Sequence, residues 1–209
     1  SNSCCNNSEC STRYNESCKK VLACGHDCPG HSKESKCLPC LDSNCKNYND
    51  QYDQDLESYC AICYSESIGS APNVKLDCGH IFHHHCIVER LHKKWIGPEI
   101  NLKFIKCISC NAWLSSPNNT DIQLVISPYL DLNKKIIEMT TERIKFEGLD
   151  KDKRVKDPND KYYNKPLEYG LDKIQYYMCY KCKKPYFAGL KECGAQNDRE
   201  HDAKDLLCG

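Results

Sequence analysis

Residues 60–110 read CAICYSESIGSAPNVKLDCGHIFHHHCIVERLHKKWIGPEINLKFIKCISC, with eight metal-type side chains at Cys60, Cys63, Cys78, His80, His83, Cys86, Cys107 and Cys110. A tetrahedral zinc ion takes four Cys or His ligands, usually delivered as closely spaced pairs. Here there are four such pairs, enough for two ions with no remainder. His84 and His85 also lie in the stretch, but only His83 keeps a two-residue gap to Cys86, so its neighbours read as surface residues or as supports for the ligands.

The composition points the same way. The 209 residues include 19 Cys but only 4 Phe, 2 Trp and 2 Met, too few large apolar groups for one extensive core. Several small modules stapled by metal are the alternative. The odd Cys count and the repeated Cys-x2-Cys pairs argue against a complete disulfide framework and for zinc in a reducing compartment. There is no apolar run of membrane-spanning length and no signal peptide, so a cytoplasmic or nuclear location is expected, with no membrane partner. Lys and Arg total 29 and Asp and Glu total 29, which removes the usual electrostatic case for nucleic-acid binding. Beginning at Ser1 and ending at Cys208-Gly209 inside a ligand-like motif, the sequence reads as part of a longer protein.

Upstream, residues 1–45 hold nine Cys and two His with little else to build a core. The densest part supplies Cys24, His26, Cys28, Cys37 and Cys40, enough for at least one zinc, although spacing leaves the pairing open. Residues 46–58 have the composition of a polar linker. Ser127-Pro128 reads as a helix start, and the apolar spacing that follows predicts a helix over 128–146, stopped by Gly148. That helix would connect two zinc modules or pack on the finger. Residues 150–165, charged and broken by Pro158, predict an exposed loop. Beyond Tyr169, aromatic residues surround Cys179-x2-Cys182 in a third small module. By spacing alone, Cys179, Cys182, Cys193 and Cys208 make a complete zinc set, and Cys193 is equally a free thiol between Gly189 and Gly194.

The Cys-His-His-Cys centre of residues 60–110 resembles the RING-H2 finger. That resemblance implies interleaved sites: Cys60, Cys63, His83 and Cys86 on one ion, and Cys78, His80, Cys107 and Cys110 on the other. It also implies a partner, a ubiquitin-charged conjugating enzyme, docked by Ile62, by the helix after Cys86 that carries Ile87, Leu91 and Trp95, and near Ile108. Many RING fingers have Pro where this chain has Ile108, and a cation where it has Asn111.

A closer resemblance rests on Cys179-Tyr-Lys-Cys182, on Tyr186-Phe187-Ala-Gly189, on Trp95-Ile-Gly-Pro98 and on Glu147-Gly148-Leu149. Together they are similar to the RING plus tandem-cysteine ubiquitin ligases of the Pam/Highwire family. The resemblance implies that ubiquitin passes from the conjugating enzyme to Cys193, and then, through a second Cys past Gly209, to a Thr hydroxyl. It places Cys179, Cys182 and Cys208 among zinc ligands. The expected fold class is therefore a set of small zinc-stabilised α+β modules. These are a Cys/His-rich zinc segment (1–45), a polar linker (46–58), a RING-H2 cross-brace finger (59–115), a connecting strand and helix (116–148) and a partial tandem-cysteine zinc domain (149–209). Two zinc ions are expected in the finger, with at least one more in each flanking zinc module.

Overall fold

A computed structural model describes residues 7–48, 53–95, 97–191 and 206–208. The chain divides into two compact units, one of residues 1–94 and 103–127, the other of residues 95–102 and 128–209.

The first unit opens with α1 (Ser8–Glu16), capped by the Asn7 side chain, which accepts from the Glu9 amide. Its sheet is a hairpin of β1 (Asn73–Lys75) and β2 (Ile81–His83), antiparallel with Val74 opposite Phe82. Strands of three residues have little stability of their own. In the same unit Ile68, Leu76, Ile87, Leu91, Ile105 and Leu114 are all fully buried. The N-terminal segment adds backbone to the same hairpin. Asn73 N–H donates to the Pro29 carbonyl, the His31 amide donates to Asn73, and the Asn73 side chain donates to Pro29 and Ile68. Helix α2 (His84–Lys93) follows β2 directly and ends at Lys94, which takes a left-handed φ of 50°. Trp95 therefore lies beyond the helix, not on its apolar stripe.

Residues 53–58 have linker composition but are pinned to the unit. The Gln54 amide group donates to the Ile81 carbonyl at 2.9 Å and accepts from the Ile81 amide at 2.7 Å, pairing with the outer edge of β2.

Helix α3 spans Thr120–Phe146, eight residues earlier than the Ser-Pro signal indicates. Two causes outweigh the proline. Asn119 caps the helix, its side chain accepting from Ile122 N–H, and Ile122 and Ile126 are fully buried one helical turn apart. Pro128 sits inside the helix, where it removes one backbone donor without ending it.

In the second unit, the predicted loop over 150–165 is a compact series of turns. A short 3₁₀ turn (Leu149–Lys151) leads to α4 (Lys153–Lys156), and α5 (Pro166–Lys173) starts with its proline in the first turn. Leu149, Val155, Tyr162 and Tyr169 form a core with Ile136, Ile144, Ile174 and Tyr176. Buried tyrosines need a partner for the hydroxyl. Tyr162 donates to Asp172, Tyr169 donates to Asp152, and Tyr176 is bonded to Thr140. Charge pattern alone hid this segment because its few apolar residues are spaced by turns rather than by a helix period. Strands β3 (Ile174–Met178) and β4 (Pro185–Leu190) form an antiparallel hairpin. Residues 99–100 add an outer edge to it, with Ile100 N–H donating to Tyr176.

Gly170 gives a test of this packing. A Cβ there would sit 2.6 Å from Ile144 Cγ1 and 3.0 Å from Thr140 Cγ2. In an open helix Gly→Ala stabilises by about 1 kcal/mol. Here overpacking should reverse the sign, so that Gly170→Ala lowers stability by about 1–3 kcal/mol in urea unfolding followed by circular dichroism.

Candidate metal centres

Each ligand group is positioned by local backbone geometry. In Cys60-x2-Cys63, Cys107-x2-Cys110 and Cys179-x2-Cys182, the residue after the second Cys (Tyr64, Asn111 or Lys183) takes a left-handed φ and donates its N–H back to the first Cys carbonyl. This turn aims both thiols at one point. In Cys78-Gly-His80, Gly79 at φ 91° provides the reversal that non-glycine residues rarely adopt.

These turns bring the predicted central ligands into two groups. Cys60, Cys63, His83 and Cys86 lie together, as do Cys78, His80, Cys107 and Cys110, with all ligand atoms of each group within 4.8 Å of one another. His83 Nδ1 is 3.7 Å from both Cys63 Sγ and Cys86 Sγ, and Cys78 Sγ is 3.5 Å from His80 Nδ1. A tetrahedron with ordinary Zn–S and Zn–N bonds has S···N edges of about 3.6 Å. The donor sets therefore fit zinc in chemistry and spacing. His83 Nε2 lies 2.8 Å from the Ser67 carbonyl, an N–H···O contact that leaves Nδ1 facing the thiols.

The electrostatics show why a cation belongs there. Burial opposes ionisation of Cys63, but backbone and side-chain hydrogen bonds from Ser65, with Glu66 and His83, bring its thiol down to about 6. Burial then pushes the Cys86 thiol far up, with the charges of Cys60 and Cys63 adding to it. Burial pulls His83 down, yet hydrogen bonds to Cys60 and Ser67 outweigh it and raise the ring to about 9. In the other group, burial and the neighbouring Cys107 and Cys110 thiols outweigh a hydrogen bond at His80 and push Cys78 up to about 12. So many thiolates can ionise together only around a positive ion. Of the neighbouring histidines, His84 stacks on buried His31, with ring centroids 3.7 Å apart, and His85 Nε2 is 3.3 Å from Cys86 Sγ.

The N-terminal ligands divide in a way that spacing did not reveal. Cys24, His26 and Cys40 gather with Cys45, whereas Cys28 and Cys37 gather with Cys18. Cys18 and Cys45 are thus the additional members, and the adjacent pair Cys37 and Cys40 is split between groups. His26 Nδ1 is 3.5 Å from Cys40 Sγ, and its Nε2 is 3.3 Å from the Asp42 carboxylate, which orients the ring. In the second unit Cys179, Cys182 and Cys208 gather, with Cys182 and Cys208 Sγ atoms 3.5 Å apart. Cys193 lies outside the described residues. Lys191, two residues before it in sequence, forms an ion pair with Glu99 at 2.7 Å.

Beside the group of Cys60, Cys63, His83 and Cys86 runs a groove of about 440 Å³ lined by Ile62, Cys63, Cys86, Glu89, Arg90, Lys93, Lys94 and Phe104. From α2, Arg90 braces it by donating to the carbonyls of Lys103, Phe104 and Lys106. Ile62 lines the groove. Ile108 is exposed and is not part of the lining, and Trp95, in the second unit, packs edge-on against Tyr129. Arg90 and Phe104 carried no distinguishing sequence signal.

No family model matches the chain. Over 98% of its length, however, it is 35% identical to the E3 ubiquitin-protein ligase highwire of Drosophila melanogaster and 32% identical to the E3 ubiquitin-protein ligase MYCBP2 of Danio rerio. The chain belongs to the Pam/Highwire/MYCBP2 family. It spans about 4% of the length of these two relatives. Among the described residues of this Pam/Highwire chain, no helix is long and apolar enough to cross a membrane.

Metal removal should unfold the first unit. Cys ligands must ionise and His83 must lose its proton to bind, so zinc binding releases protons and weakens as pH falls below 7. Acidification towards pH 5, or a chelator at pH 7, should release zinc and, with it, the part of the helical signal that the first unit contributes. Native circular dichroism after complete zinc removal would contradict a structural role.

Proposed function

We propose that this chain is a ubiquitin-transfer segment of a ubiquitin ligase, with residues 59–115 acting as a RING-H2 finger. The observations that support this reading are the two Cys/His groups interleaved in chain order and, beside the first, a groove lined by apolar Ile62 and Phe104 and braced by Arg90. A conjugating enzyme charged with ubiquitin docks there. The finger holds two zinc ions, and at least one further ion sits in each of the N-terminal and C-terminal zinc modules. The central ions are structural: the two groups offer four protein ligands each, with no open position for chemistry at the metal.

Cys193 is the first nucleophile in this reading, supported by the family's relay and by the hairpin β3–β4 that leads to it. Its thiolate attacks the thioester carbonyl at the ubiquitin C-terminus. The tetrahedral adduct collapses, the conjugating-enzyme thiolate leaves, and the new thioester is on Cys193. A second Cys and a Thr hydroxyl complete the sequence in the whole ligase. Asn111, the neutral residue following the last finger ligand, favours this hand-over to a protein thiol over direct, cation-braced transfer to lysine. Cys179, Cys182 and Cys208 act as zinc ligands.

The test is a non-reducing gel of the chain with a ubiquitin-charged conjugating enzyme. A thiol-sensitive ubiquitin adduct should form and should vanish in Cys193→Ala. Ile62→Ala should slow discharge of the conjugating enzyme by about tenfold or more, the effect of removing a central apolar contact of about 1.5–3 kcal/mol. Discharge that needs Ile62 but leaves no adduct would instead indicate an ordinary RING ligase in which Cys193 is a fourth zinc ligand.

A further inference from the structure

We propose that residues 18–45 are a second cross-braced zinc module holding two ions, one on Cys24, His26, Cys40 and Cys45, and another on Cys18, Cys28 and Cys37 with a fourth donor. The proposal is independent of ubiquitin transfer.

A repeated turn is the first observation. Leu22-Ala-Cys24-Gly25-His26 and Leu76-Asp-Cys78-Gly79-His80 share the pattern Leu-x-Cys-Gly-His. They also share backbone structure. In each, the Leu amide donates to the His carbonyl (2.8 Å and 3.0 Å), the Gly amide donates back to the Leu carbonyl (2.9 Å in both), and the Gly φ is positive (87° and 91°). The two turns thus aim a thiol and an imidazole at one point in the same way.

Chain order is the second. In the central finger, Cys78 and His80 lie in sequence between the two halves of the other group, and the finger's last pair closes on them. Upstream, Cys24 and His26 likewise lie between Cys18 and Cys28, and Cys40 with Cys45 closes on them after Cys37. Both segments therefore cross-brace.

The third is the behaviour of Cys37-x2-Cys40. If both thiols held one ion, Leu41 should take the left-handed φ of Tyr64, Asn111 and Lys183, but it is not among the described residues with positive φ. The two thiols diverge, Cys40 towards His26 and Cys37 towards Cys18 and Cys28. Three Sγ atoms so close, with Cys28 only 4% exposed, form a built thiolate site. As each S–Zn bond forms, the thiol gives its proton to solvent.

Such an ion would also support the neighbouring finger. Cys28 leads directly into Pro29, Gly30 and His31, the backbone that hydrogen-bonds with Asn73 at the edge of β1.

Native mass spectrometry of the intact chain tests the proposal. Cys28→Ser and Cys45→Ser should each lose one zinc, and the double variant should lose two. A double variant that loses only one, or a Cys28→Ser chain that keeps the full complement, would overturn it. Should the variants fail to fold, alkylation mapping of the unaltered chain decides. Exposed Cys37 should resist N-ethylmaleimide together with Cys18 until a chelator is added. Immediate labelling of both, while the finger ligands stay protected, would overturn the second ion.

Discussion

Ligation from two separated stretches of chain is the constraint on which the first unit depends. The hairpin β1–β2 has three residues in each strand, too few for independent stability. Its turn carries Cys78 and His80, and its final residue is His83, so the two ends of one short hairpin serve different metal groups. Neither group closes until the other's chain path is in place. Val74 and Phe82 are fully buried, and zinc on the two groups would clamp the hairpin at both ends over them. A structural zinc contributes on the order of 10 kcal/mol of folding free energy, comparable with the whole net stability of a typical domain.

The legibility of this arrangement was uneven, for physical reasons. The eight central ligands stood out because tight spacing and donor type are written directly in sequence. The division of the N-terminal ligands was hidden, since Cys37-x2-Cys40 has the spacing of a knuckle but not its backbone turn. Boundaries failed where one strong local signal competed with a quieter tertiary one. Ser127-Pro128 marks a helix start by propensity, yet Asn119 and the burial of Ile122 and Ile126 begin the helix earlier. Residues 150–165 carry so much charge that Val155 and Tyr162 seem incidental, although both are core residues. Trp95 matched a helical stripe, but the left-handed Lys94 ends α2 before reaching it.

The groove shows what a pattern in sequence cannot hold. Ile62 was visible because it lies between two ligands. Phe104, about forty residues later, also lines the groove, and its segment is held to α2 by Arg90 reaching three backbone carbonyls. A guanidinium can hold several acceptors at fixed angles, where a lysine would act as a mobile point charge. The apolar floor is small, and the rim carries Lys93 and Lys94 with Glu89, the last paired to Lys93 at 2.8 Å. The rim thus has an excess of positive charge close to the floor, and a partner surface with a small apolar projection beside carboxylates would complement it.

The same economy accounts for Asn111. The knuckle turn requires a left-handed residue immediately after its second Cys, and the final finger ligand is Cys110. For most side chains that conformation costs about 1 kcal/mol, whereas Asn adopts it readily through local hydrogen bonding. Tyr64 and Lys183 occupy the equivalent positions with no such advantage. A cation at position 111 would combine a bracing charge with a strained backbone. Asn relieves the strain and gives up the charge. Under the proposed relay, that exchange would suit a finger that holds a charged conjugating enzyme while a cysteine elsewhere in the chain accepts the ubiquitin, because a thiol acceptor needs less activation of the thioester than an amine does.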